Sequence, residues 1–180
     1  MAERKNKTYR LTWMALMTAV ISVLAPLSVP IGPVPVSFAN LAIFLSVYLL
    51  GWKRGLGSVG CYLLLGLLGV PVFSGFTGGP GVLLGATGGY LLGYLPMTLA
   101  AGITIEKTSR RSLQALGLFL GLLLCYAFGT GWYCILMKVS VKAALGTCVL
   151  IFLPGDLLKI LAAVFVGPAL KKHLHRAGVM

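Results

Sequence analysis

Residues 151–167, IFLPGDLLKILAAVFVG, are almost wholly apolar, yet they carry Asp156 and Lys159. The other acidic residues are Glu3, near the amino terminus, and Glu106, in a basic connector. An acid and a base at i and i+3 share one helix face. Charge inside an apolar helix is costly unless it is paired or faces a cavity, so such residues mark substrate or ion sites. Pro154 and Gly155 immediately precede the pair. A proline there loosens the helix or starts a new segment, which puts Asp156 near a local helix N-terminus where negative charge is favoured. Asp156 accepts N–H donors and Lys159 donates to carbonyl or carboxylate oxygens. A ligand carrying both amide-like N–H and C=O groups suits the pair. A structural ion pair is the plainer alternative.

Other candidates lie toward the same end of the chain's spans. TGG occurs at 77–79 and again at 87–89, with Tyr90 following. Glycine lets backbone approach a ligand closely and threonine adds a hydroxyl. Thr77, Gly79, Thr87, Gly88 and Tyr90 are therefore expected at the site. Ser37 and Asn40 open the second apolar stretch, where Asn40 could instead cap a helix. Phe73, Phe76 and Tyr90 could pack an apolar ring. In the first stretch, Ala15 and Ala19 form a small-xxx-small pattern that permits close helix approach.

The elements that must carry these residues are membrane helices. Of 180 residues, 58% are hydrophobic and only 10% charged, and the mean hydropathy is +0.97. A soluble domain of this size needs far more charge to cover its surface. A span takes about 20 apolar residues, so about six fit, in one domain covering residues 1–180. They are expected at 11–29, 37–52, 55–70, 82–105, 112–137 and 143–170. The basic start runs into a full-length span with no A-x-A site, so it reads as a first membrane helix rather than a cleaved signal. Counted from 143, Asp156 lies about 13 residues into the last span, or roughly 20 Å along its axis. A break near Pro154 would put the pair shallower.

Twelve cations flank alternate connectors, and two, Lys138 and Lys142, flank the opposite ones. The positive-inside rule then places both termini in the cytoplasm. The uncharged connectors rich in Gly and Pro, PLSVPIGPVPV and GVPVFSGFTGGPG, are expected to fold back and line a cavity, because irregular backbone at membrane depth must be buried in protein or face a cavity. A net charge of +12 concentrated at span ends argues against nucleic acid. Cys61, Cys125, Cys134 and Cys148 form no C-x-x-C, and both histidines lie in the tail, so no metal site and no cofactor are expected. There is no P-loop, and no histidine in any span to serve Ser74 as a base, so neither ATP binding nor a catalytic residue is expected.

The combination of PVPVSF, LLLGLLGVPVFSGFTGGPGVLLGATGGYLLGYL, YAFGTGW and LPGDLLKILAA resembles the BioY family, the biotin-binding S components of energy-coupling factor (ECF) transporters. The resemblance covers nearly the whole chain. It departs at Ala39 and Asn40, where relatives often carry Gln-Thr, and at Ala86, where they often carry a larger residue.

The resemblance implies an all-α fold of six membrane helices with the pocket near the outer face. It implies biotin as the transported ligand, with Asp156 and Lys159 in ligand roles. It further implies a transmembrane T component docked on Ala15 and Ala19, two cytoplasmic ATPases, and a multi-pass location in a prokaryotic cytoplasmic membrane. The ureido N–H groups of biotin suit Asp156. Lys159 could meet the ureido oxygen, the carboxylate, or only Asp156. The alternatives are an S component for another vitamin, a proton- or ion-coupled secondary carrier with Asp156 as proton site, and a membrane enzyme.

Overall fold

A computed structural model describes residues 2–29 and 34–177. Helix α1 spans Ala2–Leu24 and leads into a short antiparallel hairpin, β1 Ser28–Val29 with β2 Val36–Ser37. Residues 30–33 of the first uncharged connector lie outside the described residues. Then follow α2 Ala39–Leu67, α3 Pro80–Leu84, α4 Gly88–Lys107, α5 Arg111–Met137, α6 Val141–Leu145, a π-helical turn Gly146–Leu150 and α7 Leu153–Arg176.

By length and composition, α4, α5 and α7 are long and apolar enough to cross a membrane. Leu120, Leu124 and Phe128 on α5, and Leu158, Leu161 and Phe165 on α7, point outward. That is the inverse of a soluble bundle, and it suits helices whose outer faces meet hydrocarbon. α1 buries Trp13, Met17 and Ile21 at helical spacing against α2, where the Ser58 hydroxyl donates to the Met14 carbonyl. Ala15 and Ala19 lie on the opposite, exposed face with Leu16 and Val23.

Several expected boundaries move, each for a local reason. The first helix ends at Leu24 rather than 29, because the next residues enter the hairpin. The second and third stretches run together as α2, interrupted at Gly51, whose φ of 77° only glycine adopts without strain. The chain folds back sharply there. Gly55 lies against Val47, eight residues earlier, whereas residues that far apart in a straight helix are separated by about 12 Å. The carboxylate of Glu106 accepts from the freed Trp52 N–H at 3.1 Å, supplying the partner that the new helix start lacks.

The fourth stretch is divided. α3 begins on Pro80 and stops at Gly85, which is extended, so the second TGG opens α4 rather than lying within a helix. The sixth stretch is divided as well, into α6, the π turn and α7. Pro154 has no N–H to give to residue 150, and the backbone ladder changes register just ahead of it. α7 then runs past 170 to Arg176, with His173, His175 and Arg176 in its last turn, where cations are favoured.

α4 and α5 make the most extensive helix pair, and one core cluster runs through α1, α2, α4, α5 and α7. Within it, the Tyr62 ring packs edge-on against Phe73 with centroids 5.6 Å apart. Its hydroxyl is buried with no hydrogen-bond partner among the described residues. Tyr62→Phe is therefore expected to stabilise the protein by about 1 kcal/mol, the cost of an unsatisfied buried hydroxyl. A thermal melt in detergent would register this as a rise of a few degrees.

Candidate functional site

The first two turns of α7 carry Asp156, 3% exposed, and Lys159, 9% exposed. Asp156 is therefore shallow in its helix. The 13-residue depth reckoned from a start at 143 is corrected by the break before Leu153. Lys159 Nζ lies 2.7 Å from Asp156 Oδ1 and donates to the Ser37 carbonyl at 2.7 Å. Asp156 Oδ2 accepts from the Tyr126 hydroxyl at 2.6 Å and from Asn40 Nδ2 at 3.2 Å. The ammonium also sits 5.9 Å from the centre of the Phe38 ring, a cation–π distance. A buried charge pair is tolerable when its remaining lone pairs and protons are matched in this way.

This cluster forms one wall of a small cavity of about 40 Å3. Val34, Pro35 and Val36 of the returning hairpin, Tyr90 and Tyr94 of α4, Cys125 and Tyr126 of α5, and Phe152 complete the lining. A second, larger cavity, of about 340 Å3, shares Val34, Pro35, Tyr90 and Tyr94 with the first. It extends over Phe73, Ser74, Thr77, Gly85 and Thr87. The two connectors that enclose this space are tied together by the Gly75 N–H, which donates to the Pro26 carbonyl at 3.1 Å.

The expected residues separate into groups. Ser37, Asn40, Asp156 and Lys159 meet at the first cavity, Phe73, Thr77 and Thr87 line the second, and Tyr90 borders both. Asn40 is not the helix cap. Phe38 holds that position without a side-chain bond, and the Asn40 amide goes to Asp156. Gly79 and Gly88 line neither cavity. Gly79 has a φ of 94° and its N–H donates to the Gly66 carbonyl at 2.7 Å, so it serves the turn. At Gly88 a Cβ would run into the Leu83 carbonyl, so glycine is required by the tight entry to α4. Phe76 is exposed rather than packed over the site.

Tyr94, Cys125, Tyr126 and Phe152 were not anticipated as lining. Tyr90 and Tyr94 are i and i+4 on one helix, so the second tyrosine could have been found from the first. Tyr126 stands in the YAFGTGW segment, but its partner lies 30 residues away and no local spacing announces it.

The Gly51 break of α2 and the far ends of α4 and α7 border a groove with Arg54, Glu106, Lys171 and His175. The bundle thus has a charged end and a cavity end, as the alternation of basic connectors predicts.

The family model for BioY matches residues 1–176. The chain belongs to the BioY family. It is 37% identical over 158 residues to the biotin transporter BioY of Thermotoga maritima, covering 87% of this chain and 92% of that one. It is 35% identical over 172 residues to the biotin transporter BioY2 of Lactococcus lactis, covering 95% and 94%. The fold matches the crystal structure of the S component for biotin from an ECF-type ABC transporter, with a TM-score of 0.87, 32% identity and 93% of each chain covered. The all-α architecture is therefore the S-component fold, and this BioY-family chain is a multi-pass membrane protein.

Proposed function

We propose that this BioY-family chain binds biotin and acts as the substrate-capture subunit of an ATP-driven ECF-type uptake transporter. One observation carries the reading. The Asp156–Lys159 pair, joined by Asn40 and Tyr126, places a carboxylate acceptor and charged and amide donors at one wall of a cavity otherwise rich in aromatic and aliphatic groups. A cyclic urea offers the matching set of two N–H donors and one carbonyl acceptor, and the apolar rest of biotin suits Val34, Tyr90 and Tyr94. The names of the relatives point to the same ligand. A proton-coupled carrier gains no support from this geometry, because Asp156 is engaged by three donors at once.

In this reading there are six spans, with Gly51 at the cytoplasmic turn between the second and third, and both termini face the cytoplasm of a prokaryotic cell. Capture occurs at the outer face. The chain performs no covalent chemistry, and two partner ATPases acting through a transmembrane T component supply the energy.

Calorimetry of the purified full chain with biotin tests the assignment. Tight one-to-one binding is expected, and a well-folded protein that takes up no biotin would sink it. The exposed Ala15–Ala19 face is proposed as the T-component surface, since small side chains let helices approach closely. Replacing both with leucine is expected to leave biotin binding unchanged and to abolish copurification with a T component. Undiminished copurification would remove that face from the interface.

A further inference from the structure

The charged residues lining the two connected cavities are Asp156 and Lys159, and both belong to the first. They pair with each other, and the ammonium also serves the Ser37 carbonyl. The second cavity has hydroxyls from Ser74, Thr77 and Thr87 but no charged side chain among its lining residues. The adjoining outer hollow, lined by residues such as Leu27, Pro35, Phe38 and Phe76, has none either. The connectors enclosing this end, residues 25–38 and 68–87, contain no Lys, Arg, Asp or Glu at all, residues 30–33 included. Lys138, at the end of α5, and Lys142, in α6, are exposed and line none of these spaces. At the start of α4, two of the backbone donors are already used. The Gly88 N–H is given to the Gly85 carbonyl and the Tyr90 N–H to the Thr87 carbonyl, each at 3.1 Å.

Biotin has two polar ends, the ureido ring and the carboxylate, joined by an aliphatic chain. The first cavity matches the ring, with an acceptor and donors close together. The chain then runs into the second cavity toward the mouth, where its carboxylate would meet hydroxyls and water but no positive charge.

We propose that the protein does not read the ligand's carboxylate as a charge, so that neutral amides and esters of biotin belong to its substrate class alongside biotin itself. This inference rests on the biotin reading. A carboxylate held by a dedicated cation would lose about tenfold to a hundredfold in affinity on neutralisation. A carboxylate left hydrated at a mouth loses little.

The test is calorimetry of the full chain in lipid nanodiscs with biotin and, separately, with its primary amide, in which NH2 replaces the charged oxygen at nearly constant size. The expected result is a Kd for the amide within tenfold of that for biotin. A loss greater than tenfold overturns the inference. Rejection of the amide alone leaves the biotin assignment standing. Failure of biotin itself to bind removes both.

Discussion

Asp156→Asn is expected to weaken biotin binding by about a hundredfold or more while leaving the protein able to fold. The substitution keeps shape and removes charge. Hydrogen bonds to a charged acceptor are worth about 1.5–3 kcal/mol each, and about 1.4 kcal/mol is a factor of ten in Kd. Stability should also fall, because Lys159, 9% exposed, loses the carboxylate 2.7 Å away, and breaking a buried pair from one side costs about 3–5 kcal/mol.

These two effects can be separated. Asp156→Asn combined with Lys159→Met removes the uncompensated ammonium and should restore much of the thermal stability. If Asp156 receives the ligand's N–H groups, calorimetry on the double variant still shows weak binding. Recovery of tight binding in the double variant would instead mean that the pair only holds α7 against Ser37 and α5.

Gly129→Val is expected to lower the melting temperature by roughly 5–10 °C and to weaken biotin binding more than tenfold. A Cβ at Gly129 would enter the ring of Tyr90, which borders both cavities and whose hydroxyl meets Thr130 at 3.1 Å. The ring has little freedom to retreat, because the α4–α5 seam is close throughout. A Cβ at Gly89 would meet Trp132, one at Gly93 would meet Cys125, and one at Gly121 would meet the Met97 carbonyl. Gly89 and Gly93, four apart on α4, and Gly121 and Gly129, eight apart on α5, let the two backbones approach in this way. Overpacking such a contact costs about 1–3 kcal/mol, and each kcal/mol moves the melting temperature of a chain this size by about 2–4 °C.

Gly131, two residues farther along the same helix, faces open space. Gly131→Ala should be neutral or slightly stabilising, since alanine is the better helix former. Similar damage from both substitutions, measured by thermal melts and biotin titration, would show that the close approach to Tyr90 is not what sets Gly129 apart on α5.

Much of this protein is legible in its linear order wherever the physics is local. Scarcity of charge dictates a membrane protein. Cations at alternate connectors dictate which helix ends lie together, because moving a basic loop across a bilayer is unfavourable. Asp156 and Lys159 are three residues apart in an apolar helix, so their mutual pairing and their interest as a site follow from helix geometry alone.

What surrounds them does not follow from that geometry. Asn40 reaches Asp156 across 116 positions and Tyr126 across 30, and only the packing of α2, α5 and α7 makes them neighbours. The glycines show the same division. Composition marks the TGG repeats as special, but Gly79 and Gly88 satisfy turns while Gly129 makes room for a tyrosine of the site. Those roles are set by which backbone or ring lies within a few ångströms, and sequence spacing contains no such distance. The division of the last span is intermediate. Pro154 signals it, yet the extent of the break depends on how the π turn seats Cys148 under Tyr90, a contact formed by chain segments 58 residues apart.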